Sequence, residues 1–229
     1  MGAPDAGGAV TPEDELRRFI ADDGRFSCFG ARAALRRDTL HVLVLDDLDA
    51  PAATPALHGA LLRLIRDELG PDRTFVSLVA IFLGPRDLDE AAFDDRLWRR
   101  LQDLHDLDAR DHPWAPDVDA DPASPRFGYS VGGHPFFVVG LHPHASRLSR
   151  RFRLPALAFN SHRQFDQLKA LGRYQTLKRR IREAEMRLQG SLNPNLADFG
   201  ELSDARQYSG LAVGDDWKCP FSPRAMPPR

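Results

Sequence analysis

Cysteine is scarce in this chain, with two residues in 229, and the two stand far apart at Cys28 and Cys219. That excludes a disulfide scaffold and leads us to expect free thiols in a reducing compartment. Net charge is nearly absent too. The 31 basic and 33 acidic residues leave a formal charge of −2, which offers no bulk attraction for nucleic acid or an anionic membrane. No apolar run approaches the ~20 residues of a membrane helix. The opening MGAPDAGGAVTPEDE lacks the basic-then-apolar order of a secretory signal, so a cytoplasmic protein is expected. HExxH and paired Cys/His spacings are missing around the histidines of the second half, which argues against a zinc enzyme.

What is present is ordinary soluble composition, 42% hydrophobic and 28% charged, in a chain long enough for one large domain. Residues 1–12 read as a disordered Gly/Ala/Pro tail, 13–221 as a single domain and 222–229 as a flexible end. Thr11-Pro12 opens a short helix in EDELRRFI. HVLVLDDL (41–48) reads as a buried strand. Leu57, Leu61, Leu64, Ile65 and Leu69 mark a helix stopped by Gly70-Pro71. TFVSLVAIFLG (74–84) is apolar almost throughout and belongs in the middle of a sheet. Phe93, Leu97, Leu101, Leu104 and Leu107 mark another helix.

Residues 108–128 carry Pro113, Pro116, Pro122 and Pro125 and read as a long surface loop. YSVGGHPFFVVGLHP and LPALAFN follow as two strands, joined by a linker too short for a helical crossover and therefore antiparallel. A long helix is expected from about 162 to 188, with Phe165, Leu168, Leu171, Tyr174, Leu177 and Ile181 on its apolar side. The rest is coil that must wrap over the core. The expected fold is α+β, a single domain whose mixed or antiparallel sheet is flanked by helices.

Chemistry-bearing residues cluster late. His142 and His144 precede Arg147, Arg150, Arg151 and Arg153. Imidazole beside guanidinium suits an iron or anion site, and a solvated basic turn is the plainer reading. His162 is either a ligand or a helix cap beside Asn160 and Ser161. His134 is a weaker candidate. SDARQYSG (203–210) gathers Asp204, Arg206, Gln207, Tyr208 and Ser209, either to satisfy backbone groups or to face a ligand. Trp217, Cys219 and Phe221 in DDWKCPF look like docking residues. Cys219 reads as a small buried hydrophobe, a metal ligand or, least supported, a nucleophile.

The series HPFFVVGLHPHASRLSRRFRLPALAFNSHRQFDQL, LQGSLNPNLADFGELSDARQYSG and DDWKCPF closely resembles the YqcI/YcgG family over roughly residues 26–221. Two positions depart from the family pattern: Asn195 replaces Met in NPM, and Leu211 replaces Arg in YSGR. The resemblance implies a heme-dependent N-hydroxylase, of the kind that acts on arginine or on the cyclic precursor of guanitoxin. Such an enzyme uses heme b (iron protoporphyrin IX), dioxygen as co-substrate and electrons from a separate reductase. A small guanidine or amine is then the substrate, and a homodimer is among the assemblies this reading admits.

On that reading His142 ranks first as iron ligand, with His162 and Cys219 as alternatives. Arg147, Arg150, Arg151, Arg206 and Trp217 would contact the cofactor. Asp166, Asp204 and Glu201 are candidates for the guanidinium partner, with Tyr208 a further catalytic candidate. Antiparallel pairing would put His142 and His162 at opposite ends of two strands, so that they could not share one iron. The tail from Trp217 to Phe221 would close over the cofactor pocket. A non-catalytic heme-binding or sensing protein is the alternative, and a plain interaction domain a third reading.

Overall fold

The computed structural model describes residues 9–224 apart from 23, 71 and 72. Its first helix, α1 (Pro12–Ala21), begins with a reciprocal cap: the Thr11 hydroxyl accepts from Asp14 N at 3.1 Å, and the Asp14 carboxylate accepts from Thr11 N at 3.3 Å. Of the tail expected over 1–12, residues 1–8 lie outside the described residues, whereas Thr11 and Pro12 belong to this capped start. After α2 (Phe29–Arg36), which the sequence reading missed, come β1 (Leu40–Asp47), α3 (Ala53–Asp67), β2 (Ser77–Gly84) and α4 (Glu90–Asp108). The second half holds β3 (Tyr129–Val131), β4 (His134–Leu141), β5 (Ala156–Ser161), α5 (His162–Ala170) and α6 (Tyr174–Gln189).

The strands form one mixed sheet in the order β1-β2-β5-β4-β3. β1 and β2 are parallel, and the other three pairings are antiparallel. β2 therefore lies inside the sheet, as its continuous apolar character requires. The expected α+β fold is the fold observed, with two changes of detail. YSVGGHPFFVVGL is a hairpin of two strands, because Gly132 (φ 59°) and Gly133 (φ 68°) supply the left-handed turn that tightly linked strands demand. The long helix expected over 162–188 breaks at Gly172 (φ 65°) into α5 and α6, and Leu171, expected on the apolar side, is 59% exposed.

Strand alternation sorts the side chains into two layers. Leu78, Ala80 and Phe82 of β2, Phe136 and Val138 of β4, and Leu157 and Phe159 of β5 meet α3 and α4 in the larger core. Val42, Val79, Ala158 and Val139 form one row across the opposite face, above which lie α1 and α2. α6 covers part of this second face, yet none of its residues is buried.

The C-terminal coil guards the open edge of β4. Gly140 N donates to Tyr208 O at 2.7 Å, where β3 is too short to pair. Further on, Phe221 enters the α4 core among Trp98, His105, Trp114, Phe127 and Tyr129. Of the end expected over 222–229, residues 225–229 lie outside the described residues. Ser222 N donates to Gln102 Oε1 and Arg224 N to His105 Nε2, each at 2.9 Å. No helix among the described residues is long and apolar enough to cross a membrane.

Candidate functional site

β5 runs into α5 without a loop, so His162 is the first helical residue and stands at the rim of the second sheet face. Two polar anchors fix this corner. Gln164 pairs with both backbone groups of Val76 at 2.7 Å, and Ser161 Oγ meets His134 Nε2 at 2.8 Å. Neither Ser161 nor Asn160 caps α5. Ser161 makes no side-chain cap bond, and Asn160 is engaged with Ser77 Oγ and Phe137 O. Nε2 of His162 lies 2.7 Å from Asp204 Oδ2, and both residues are buried. Burial pushes the Asp204 carboxyl above its ordinary range, against the opposing pull of the His162 hydrogen bond.

His162 and Asp204 line a cavity of about 250 Å³ between the sheet and the α5–α6 pair, with walls that include Phe137, Val139, Phe165, Leu177 and Ile181. A second cavity of about 200 Å³ shares Phe137, Val139, Asn160 and Ile181 and ends in Arg147, Arg150 and Glu185. The apolar face of α6 is unburied because it looks into this space. Polar contacts hold the helix in place. Glu185 takes Arg147 at 2.6 Å and also Ser27, and Gln189 Oε1 accepts from Leu148 N at 2.9 Å. Burial works to raise the Glu185 carboxyl, but hydrogen bonds from Ser149, Ser27 and Arg147 bring it below its ordinary value. Arg147 Nε and Arg182 Nε are buried without hydrogen-bond partners, so each retains a donor for an anionic group.

The two faces of the sheet divide the expected site residues. His142 continues the even-numbered side of β4 and stacks on Phe93 of α4, with ring centroids 4.4 Å apart. It is 1% exposed, lines neither cavity, and is held neutral by burial, its pKa lowered to about 4. The first choice of iron ligand thus faces α4 on the side of the sheet opposite the two cavities, because one step along a strand reverses a side chain's direction. The antiparallel register, Phe136 opposite Ser161 and Leu141 opposite Ala156, does separate His142 from His162.

Cys219 packs against the α4 core, and burial pushes its thiol up to about 12. Trp217 lies tilted against Trp98 in the same layer, with ring centroids 6.3 Å apart. DDWKCPF is therefore a docking segment, but it seals the α4 core and not the cavity. Arg206 donates to Gly214 O at 2.6 Å beside Trp217, and Arg151 to Ala145 O at 3.0 Å; neither lines either of the two cavities beside α6.

Arg147 and Arg150 do face the second cavity. Arg150, its pKa lowered by burial to about 10, donates to the carbonyls of Tyr208 (2.8 Å) and Gln207 (2.7 Å) and so pins the coil. Tyr208 is fully buried, its phenol accepting from Tyr129 N at 3.1 Å and donating to Phe136 O at 3.2 Å, and it does not reach the cavity. Asp166 is an exposed partner of Lys169, and Glu201 is exposed.

Glu185, Lys178 and Arg182 were missed by the sequence reading, since on a helix taken as basic on its outer side nothing marked the residues that turn inward. Of the two departures from the family pattern, Asn195 acts as a clasp, its amide donating to Val213 O at 2.9 Å and accepting from Val213 N at 3.0 Å. Leu211 lines neither cavity.

Comparison with known proteins adds the lineage. The chain is 30% identical over 224 residues to YcgG of Bacillus subtilis (strain 168), covering 90% of this chain and 85% of that one. It is 28% identical over 222 residues to YqcI of the same organism, covering 90% and 84%. Both relatives are described as uncharacterized. No solved structure gives a significant match. The family model of YqcI/YcgG proteins matches residues 16–222, and the chain belongs to the YqcI/YcgG family.

Proposed function

We propose that this protein is a heme-dependent monooxygenase that hydroxylates a guanidine nitrogen of arginine or of a related small guanidine or amine, with His162 as the iron ligand. The observation that carries this reading is the His162–Asp204 pair on the wall of an apolar cavity whose far end is cationic.

The residues present fit such a cofactor. A ligating histidine characteristically gives its second ring nitrogen to a carboxylate, as His162 does to Asp204. The free donors on Arg147 and Arg182 suit the two propionates. The two cavities together reach the size of ordinary ligand sites, ~300–1,000 Å³. When bound, heme would supply the activation of dioxygen and the insertion of one oxygen atom.

The protein's own part is positioning and exclusion. Asp204 fixes the tautomer and orientation of His162. Phe137, Val139 and Ile181 keep water from the reacting region. Glu185 is the cavity carboxylate that hydrogen bonds keep ionised, and it already holds the guanidinium of Arg147. It takes the place of Asp166 and Glu201 as partner for a guanidinium substrate. The sensing alternative drew on Leu211, which lines neither cavity, and turnover separates it from the enzyme.

The test is spectroscopic first. Protein reconstituted with hemin should show a Soret band that is lost in His162→Ala and kept in His142→Ala. No Soret band in the wild type would overturn the reading. Reduced protein should then consume dioxygen only when arginine or another small guanidine is present, with the hydroxylated product detected by mass spectrometry. A Soret band without turnover on any guanidine would leave the binding protein and remove the enzyme.

A further inference from the structure

On the other face of the sheet, three residues distant in sequence converge on one point. His58 comes from α3, Asp108 is the last residue of α4, and His112 sits in the turn four residues on. His58 Nε2 is 2.8 Å and His112 Nδ1 3.0 Å from the same oxygen, Asp108 Oδ1. One ligand atom from each lies within 4.8 Å of the others. We infer that His58, Asp108 and His112 form a binding site for a first-row divalent cation of the zinc class, independent of the cavity and of the function proposed for it.

The geometry needs little adjustment. Ligand atoms around a tetrahedral ion at ~2.0–2.1 Å stand about 3.3 Å apart, so the two contacts to Asp108 Oδ1, at 2.8 and 3.0 Å, need lengthen only by a few tenths of an ångström to admit the ion. Two nitrogens and one oxygen favour zinc, cobalt or ferrous iron over calcium or magnesium, which take oxygen ligands. The side chain of His58 is 14% exposed and that of Asp108 4%, whereas that of His112 is 32% exposed, which leaves an approach for solvent to a fourth position.

Two further features point to a ligand. His112 Nδ1 is buried and makes no hydrogen bond of acceptable geometry despite its 3.0 Å approach to Asp108, which leaves a ring nitrogen for a metal to satisfy. The Asp108 carboxylate is also held from behind, since Gly132 N lies 3.0 Å from each of its oxygens. The Gly132 turn is itself fixed, because a Cβ there would meet Leu62 of α3 at 2.7 Å. This is the outer support that metal ligands receive, and Asp108 also lies at the negative end of the α4 dipole. A bound ion would tie α3, the end of α4 and the β3–β4 hairpin together. No local spacing reveals such a site, because His58 and Asp108 are 50 residues apart.

Cobalt and zinc titration of the metal-stripped full chain tests this. One equivalent of Co²⁺ should give the visible absorption of a tetrahedral or five-coordinate site, displaced by one equivalent of Zn²⁺. His112→Ala and His58→Ala should each weaken binding at least 30-fold, whereas His144→Ala, on an exposed histidine, should not. Zinc should raise the melting temperature of the wild type and not that of His112→Ala. His112 lies in a turn and is partly exposed, so its variant should fold, as circular dichroism would verify. Binding that is absent, or equal in the wild type and both variants, would overturn the site and leave His58 as a hydrogen-bond partner of Asp108 with His112 beside it.

Discussion

Nε2 of His162 and Oδ2 of Asp204 meet at 2.7 Å across 42 residues of chain, joining the start of α5 to the C-terminal coil at the wall of the apolar cavity. If His162 ligates iron, Asp204 is a positioning residue and the two should behave differently on substitution. Asp204→Asn should keep the Soret band and weaken cofactor affinity by about 10–100-fold, the usual effect of losing an outer-shell carboxylate. It should also alter the ferrous iron–histidine stretching frequency in resonance Raman spectra. An unchanged frequency would show that the carboxylate does not act through the imidazole.

Glu185 is the residue by which α6 is tied down, and its loss should open the cavity without unfolding the sheet. Glu185→Gln exchanges charge-assisted bonds from Arg147 for neutral ones, and a hydrogen bond to a charged group is worth ~1.5–3 kcal/mol. Hydrogen exchange over residues 174–189 should therefore accelerate, with β2 and β5 unaffected. The folded carboxyl lies below its ordinary value, so its contribution is complete above the unfolded pKa of about 4.5 and fades as pH falls through the lower folded value. The variant should lack that acid-dependent loosening of α6.

Acid should destabilise the whole fold earlier than that, through histidine. Burial lowers both His134, at the start of β4, and His142, just past its end, to about 4. Between pH 6.5 and 4 the unfolded chain takes up protons that the folded protein refuses, so stability falls as pH falls through this window. Each histidine accounts for up to about 3 kcal/mol. Urea unfolding at pH 7.5 and pH 5 should show the difference. His134→Gln, which keeps a polar atom for Ser161, should make the pH dependence shallower by about half. Equal slopes in the variant and the wild type would refute the assignment.

These residues also show what the sequence could reveal. Periodicity located β2 and α4 because their burial is determined by side chains within one segment. Thr11-Pro12 was readable because a cap is local chemistry. The face that His142 looks toward is not legible in the sequence, because it depends on where β4 begins, which the Gly132-Gly133 turn decides. Glu185 was overlooked for a related reason: no spacing in the sequence marks a charged residue of α6 that turns inward beside Ile181. His162 and Asp204 were legible as polar residues of two separate segments. Only the fold brings them together.

Tyr208 allows the clearest separation of structure from chemistry. Its phenol bridges Tyr129 N and Phe136 O, two buried backbone groups of the β3–β4 pair, at 3.1 and 3.2 Å. Burial holds its pKa well above the ordinary phenol value, so it is a neutral hydroxyl that both donates and accepts. Tyr208→Phe leaves the ring packing intact and strands a buried N–H, at a cost of about 1–3 kcal/mol. The melting temperature should fall by roughly 3–8 °C. Cofactor spectra and turnover of the folded protein at low temperature should be unchanged, because the hydroxyl faces backbone and not the cavity. A variant that melted like the wild type yet lost turnover would return Tyr208 to the reaction and require the phenol to leave its backbone partners during the catalytic cycle.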